Sequence, residues 1–523
     1  MLKKIGLLLL VVMMLGLTAA CGTETQQVEE ETTEVEKVTE LYGNYMPEGD
    51  EILSYVQDFS DIGMRQSGTE GGVKAQEYIK SKYEEYGLED IHVIETETPV
   101  WTCDDWSLQV GGQEMDSYRM YMCLCDGQYE KGGSLKTNED GEVSKGNFTC
   151  GTFSTSDEGQ VEDGDIIYVK SRKALKKMDK ADIKGKVVAC NIKSPVWSAP
   201  YEYYIAQEKG AVAFVGVLGA YFDSNRYNPE DMTYVNGSFN IPGYYVTKKV
   251  GDQIKAAVDE AGGSVDAHFE MTVNLEVSDD AGSVVGILPG SDDGDGKMIM
   301  VSSHYDSMTE HGASQDGSGC AEVLAMARFF SQIPQEDRER GLLFVLNDTH
   351  SSDYDSHDNV SLEYLGGEWI EEEEVILPGA NDTDVLADVT IEHVSEEGII
   401  EDNELVMTGN VMPRYACVSN IPALVDIVTD ETANLQDEEN TGLTEVTPLD
   451  MGDELVTDAD LFRCEGYGIP VISLISAQPY MYDDCDTMDK VPERALKPVA
   501  ESMANMIWRL MSLDEASFQT EEE

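Results

Sequence analysis

The chain has 523 residues, with 102 Asp and Glu against 35 Lys and Arg, a formal charge of −67. That balance excludes nucleic acid and anionic lipid surfaces as partners, because phosphates are held by basic patches and this surface repels them. With 41% hydrophobic residues the chain buries a large core, and its length suggests two or three domains.

Residues 1–21 read as a secretion signal: Lys3 and Lys4, an apolar run from Ile5 to Leu17, then Thr18-Ala19-Ala20 before Cys21. The run is shorter than the roughly 20 residues that span a bilayer. Its ending has the form of a bacterial lipobox, so Cys21 is the expected lipidation site. The body is then expected outside the cytoplasm, touching the membrane only through that lipid. Residues 22–46 are rich in Thr, Glu and Gln without apolar periodicity and read as a disordered acidic spacer. Of ten cysteines nine remain after lipidation, an odd count with no Cys-x-x-Cys pair, which argues against a structural zinc knuckle.

Two helices are expected between Glu51 and Tyr86, with Ile52, Tyr55 and Val56 on one face of the first and Val73, Ala75, Ile79 and Tyr83 on the second. The polar break Arg65-Gln66-Ser67-Gly68-Thr69 separates them, and Gly87 ends the second before a strand at Ile91–Ile94. Between residues 160 and 271 short strands alternate with turns, at 166–169, 186–189, 211–217 and 241–246, with one helix from Pro200 to Lys209. Strands follow at 284–288 and 297–301, the latter a continuous apolar run of the kind buried in a parallel sheet.

That last strand delivers Ser302-Ser303-His304-Tyr305-Asp306-Ser307, and a short gap leads to Gly312-Ala313-Ser314-Gln315-Asp316-Gly317-Ser318-Gly319. His304 thus sits at a strand's C-terminal end, where open α/β sheets form ligand sites. Asp306 is placed to hold the ring nitrogen that His304 does not offer to a metal. Asp316 arrives on a glycine-rich turn before the apolar helix 318–332, where a carboxylate can bridge cations. A buried strand at 341–346 leads to Asp348-Thr349-His350-Ser351 and a loop carrying Asp353, Asp355, His357 and Asp358. The strand 389–394 carries Glu392, and strand alternation directs His393 to the other side of the sheet. Thr457-Asp458-Ala459-Asp460, a strand at 471–476, the run Met481-Tyr482-Asp483-Asp484-Cys485-Asp486-Thr487, a helix from Arg494 to Met511 and an acidic tail at 514–523 close the chain.

At these motifs the sequence resembles the zinc exopeptidases of metallopeptidase family twenty-eight, the type of aminopeptidase Y and bacterial leucyl aminopeptidase. The Arg-x-x-Gly-Thr break, the His-x-Asp strand end, the glycine-rich turn and the closing segment carry the resemblance. It implies a zinc-dependent peptidase with His304 and Asp316 as metal ligands and Glu392 in place of an aspartate ligand. Where the family has two adjacent glutamates, a general base and a ligand, this chain has His350 and Ser351. Where the family has its last histidine ligand, Asp483 or Tyr482 has to serve. The segment 160–271 resembles the protease-associated domain inserted in members of the family.

The expected architecture is therefore an α/β domain, residues 47–159 and 272–513, with a mixed, mainly parallel sheet sandwiched by helices and interrupted by a β-rich insert at 160–271. The expected site comprises His304, Asp316 and Glu392 around one tightly held zinc ion, with Asp483 as the candidate for the last metal ligand, Asp306 orienting His304 and His350 as base. A second ion lacks its glutamate and histidine. Two functions follow: a cell-surface aminopeptidase acting on peptides, or a non-catalytic peptide- or ligand-binding protein on a peptidase scaffold.

Overall fold

The computed structural model describes residues 36–123, 160–192, 201–218, 234–236, 241–351, 355–370, 375–377, 383–401, 404–450, 469–481 and 485–519. Four strands at its centre run parallel, in the order Val471–Ser476, Val385–Glu392, Met298–His304, Gly341–Asn347. Each is buried along nearly its whole length because helices or loops cover both faces, and their polar residues, such as Ser302, Ser303, Asp388 and Thr390, are buried with them. Register aligns their ends: His304 lies opposite Asn347, Ser302 opposite Thr390 and Glu392 opposite Ile475. All four C-termini therefore open on one edge of the sheet.

Antiparallel strands flank this core, Arg414–Ser419 on one side and Val265–Leu288 on the other. The second is long enough to serve two structures. Residues 284–288 pair with the central strand Gly341–Asn347, while residues 265–271 pair with Gln160–Val169 and so continue the sheet into Lys186–Asn191, Ala213–Val217 and Gly243–Val246. Among the described residues the result is one mixed 15-stranded sheet over separate hydrophobic cores. The expected mixed α/β class is thus observed. The second core starts earlier than residue 160, because Trp101, Leu108, Val110, Met115 and Met120 belong to it, carried there by Glu89–Val110 pairing along Val265–Leu288.

Helices Gly49–Ile62, Glu70–Tyr86, Ser318–Ser331 and Glu493–Met511 cover one face of the central strands. Ser318–Ser331 is buried on nearly every side, which explains its all-round apolar sequence. Glu70–Tyr86 begins where the Thr69 hydroxyl accepts from the Gly72 N–H. It ends at Gly87, whose φ of 74° lets the Leu88 N–H reach back to the Tyr83 carbonyl.

The spacer ends before residue 46. Residues Val38–Tyr42 form a short helix, Val38 is fully buried, and Met46 is 5% exposed. Lys37 pairs with Glu431 at 2.7 Å, and Thr39 donates to Asn505 at 3.1 Å. A low-complexity stretch looks unstructured when its few apolar residues lack periodicity, yet here Val38 and Met46 are buried against the body and Lys37 and Thr39 bond to it. A chain starting at Pro47 should accordingly be less stable than one starting at Lys37 by about 3–6 kcal/mol, the value of burying Val38 and Met46. Urea melts of the two proteins measure the difference, and identical midpoints would contradict it.

Candidate metal and catalytic site

The edge where the parallel strands end gathers the polar residues. His304 is fully buried and its ring is held from behind: Nδ1 lies 3.2 Å from the Asp306 carbonyl and 3.4 Å from the Asp306 carboxylate. A carbonyl only accepts, so Nδ1 carries the proton and Nε2 presents its lone pair forward. There the Gln315 amide donates to it at 3.4 Å.

Asp306 also accepts from the backbone N–H groups of His350 at 3.2 Å and Ser351 at 2.7 Å. Burial alone would raise its carboxyl, but the hydrogen bond from His304 and the nearby imidazoles outweigh that and hold it below the ordinary carboxylate range. The same carboxylate thereby brings His350 to His304, and the two rings stack with centroids 4.0 Å apart at 16°. Ser351 lies 5% exposed, with no carboxylate to offer.

Asp316 is engaged differently from the expected ligand. One carboxylate oxygen accepts from the Ser303 hydroxyl, the other from the N–H groups of Gly319 at 3.2 Å and His393 at 3.0 Å. A glycine is needed at 319 because a β-carbon there would lie 2.3 Å from the Asp316 carboxylate and 2.5 Å from the Ile391 carbonyl. Asp316 thus stitches a strand end, a helix start and the residue after Glu392 into one unit.

His393 corrects a second expectation. The strand stops at Glu392, and His393 takes a left-handed φ of 61°. That turn breaks the alternation that would have sent its side chain across the sheet. Instead the donor atoms of His304, Glu392 and His393, all buried, come within 4.8 Å of one another. Among the described residues this is the group suited to a metal, and it fits one ion through two imidazoles and one carboxylate. Asp316 is outside it. Asp483 and Cys21, like Asp353 and Tyr482, lie outside the described residues.

Two further buried charges hold the loops of the site. Arg65, from the polar break between the first helices, is fully buried and donates to the carbonyls of Tyr305 at 2.8 Å, Phe59 at 3.0 Å, Gly312 at 3.0 Å and His311 at 3.1 Å. Burial lowers its pKa from the usual value. Asp486 accepts from the N–H and hydroxyl of Ser314 and from the Gln315 N–H at 2.9 Å, and burial raises its carboxyl. Sequence reasoning passed over Arg65, Asp486, Gln315 and His393 as site residues. For Arg65 and Gln315 the signal was position, one in a glycine-containing break and one beside Asp316. Asp348 is buried and taken up by other partners, accepting from Ser67 at 2.6 Å and the Gly282 N–H at 2.9 Å.

Residues 283–350 match the family model described as Peptidase family M28. That segment contains His304, Asp306, Gln315, Asp316 and His350. Most of the chain is similar in fold to solved structures at low sequence identity. A Peptidase M28 precursor from Shewanella amazonensis SB2B aligns with a TM-score of 0.61 at 17% identity over 92% of this chain and 96% of that one. BSAP, a zinc aminopeptidase from Bacillus subtilis, aligns with 0.59 at 14% over 90% and 98%. An aminopeptidase from Aneurinibacillus sp. strain AM-1 aligns with 0.56 at 16% over 89% and 94%. No curated protein matches the sequence.

Arg65 supplies the test of this architecture. Lysine keeps the charge but not the planar fork that reaches four carbonyls, so Arg65→Lys leaves buried acceptors unpaired. It should lower stability by about 2–4 kcal/mol. Chemical denaturation of the variant checks this, and a loss under 1 kcal/mol would show that the clamp is dispensable.

Proposed function

We propose that the protein is a metal-dependent peptidase, an aminopeptidase acting on peptides, whose chemistry is centred on His304, Glu392 and His350. One observation carries the reading: within the segment matching Peptidase family M28, His350 stacks on His304 at the sheet edge where Glu392 and His393 also converge. The aminopeptidase likenesses are likenesses of fold, and they support the substrate class in that sense only.

The group such a site takes is zinc, which when bound polarises a scissile carbonyl and acidifies water. The chain's own residues do the rest. Asp306 fixes the tautomer and direction of His304 through Nδ1 and, through two backbone N–H groups, sets the position of His350. His350, half-exposed beside that ring, takes the proton as general base, a role an imidazole can fill. The formal charge of −67 concentrates cationic substrates, including peptides with free amino ends.

The proposal includes a lipid anchor at Cys21 on the outer face of the cell membrane, resting on the residue pattern of positions 1–21. A binding protein on the same scaffold is the second reading. It is favoured by Ser351, a residue unable to supply the charge of a carboxylate ligand.

His350→Gln should reduce kcat/KM for an aminoacyl substrate by about 10²-fold or more while metal content stays unchanged. Absence of turnover on a broad panel of peptides by wild-type protein carrying its full metal would leave the binding reading in place.

A further inference from the structure

We infer that the chain builds a single-ion site of its own pattern, with His304, His393 and Glu392 as the three protein ligands and Gln315 bordering the fourth position. The inference rests on the reading of the sheet edge as a metal site and specifies its ligands.

The two imidazoles are prepared in the same way. The His304 Nδ1 faces the Asp306 carbonyl at 3.2 Å, and the His393 Nδ1 faces the Ser476 carbonyl at 2.7 Å. Both carbonyls can only accept, so both Nδ1 atoms carry hydrogen and both ring lone pairs sit on Nε2, where a cation beside His304 would take the place of the Gln315 amide nitrogen. This backing by carbonyl or carboxylate is what metal-bound histidines show.

The backbone around His393 is held to present it. A φ of 61° is unfavourable for a side chain with a β-carbon and persists where the surroundings fix it. Here its N–H donates to Asp316 at 3.0 Å and its carbonyl accepts from the Ser476 hydroxyl. The aspartate that the motif suggests as a ligand is thus the anchor that turns a histidine into the site.

Gln315 supplies the independent observation. It is 2% exposed, and its carboxamide oxygen is buried with no hydrogen-bond partner while its nitrogen faces the His304 Nε2. A buried amide oxygen without a partner is costly, and it is satisfied by a hydrogen-bearing ligand placed beside His304.

Charge favours a cation here: Glu392 in the ligand set, Asp306 behind His304 and Asp316 behind His393 are three buried carboxylates around neutral histidines and Gln315. Two imidazoles and one carboxylate with an open position suit zinc or cobalt(II), whereas calcium and magnesium favour oxygen shells.

The test uses the full chain stripped by chelator and titrated with Zn²⁺ and Co²⁺, with metal counted per chain and the visible spectrum of the cobalt form recorded. One ion per chain is expected, and His393→Ala should weaken it by about 10²-fold or more. His393→Cys should retain cobalt and add a thiolate-to-cobalt charge-transfer band, which decides the matter even if the alanine variant folds poorly. Two equally tight ions in the wild type, unchanged affinity in His393→Ala, or a cysteine variant whose cobalt spectrum lacks that band would overturn the inference. Peptide hydrolysis with metal binding indifferent to position 393 fails this inference alone. One ion lost with His393 but no hydrolysis of any peptide fails the peptidase reading alone.

Discussion

A single buried carboxylate, that of Asp316, is the constraint on which the site depends. It receives hydrogen bonds from Ser303, one residue before His304, from the N–H of Gly319 in the first turn of a core helix, and from the N–H of His393. A buried carboxylate is tolerated only when such donors surround it. Those donors lie on three separate elements, so satisfying the charge also fixes where His304, Glu392 and His393 stand relative to one another.

The same logic recurs on either side. Arg65 is buried against four backbone carbonyls, and Asp486 against the N–H groups of Ser314 and Gln315. Loops between strand ends and helices carry backbone groups that no ladder satisfies, and a protein that packs such loops deeply must supply side chains to match them. The chain spends two of its buried charges on this task. The carbonyl-lined loop gets the cation and the amide-lined loop the anion, an arrangement with electrostatic sense on each side.

Much of the framework was legible because its physics is local. The apolar run 297–301, the all-round apolar helix after Asp316, and the short strand before Asp348 each state their burial in composition alone. The position of His304 at a strand end follows from the same pattern, whereas the pattern runs the strand of Glu392 on to residue 394 and the structure ends it at Glu392. The leader and Cys21 are read from residues outside the described structure, and the pattern there is compositional.

The sequence by itself determined the α/β class, the parallel strands, and the presence of His304, Asp306, Glu392 and His350 near one sheet edge. It also marked a segment of different texture after residue 160, although the second core begins with Trp101. Tertiary structure alone decided which polar groups at that edge face one another. Strand alternation sends His393 across the sheet, but a left-handed turn one residue after the strand reverses it, and that turn is held by hydrogen bonds to residues 77 and 83 positions away. Asp316 looked like a ligand because a carboxylate on a glycine-rich turn has that chemistry. Its hydrogen-bond partners, supplied by distant elements, give it an anchoring role that the motif does not show, since a buried charge takes the donors the packed fold brings to it.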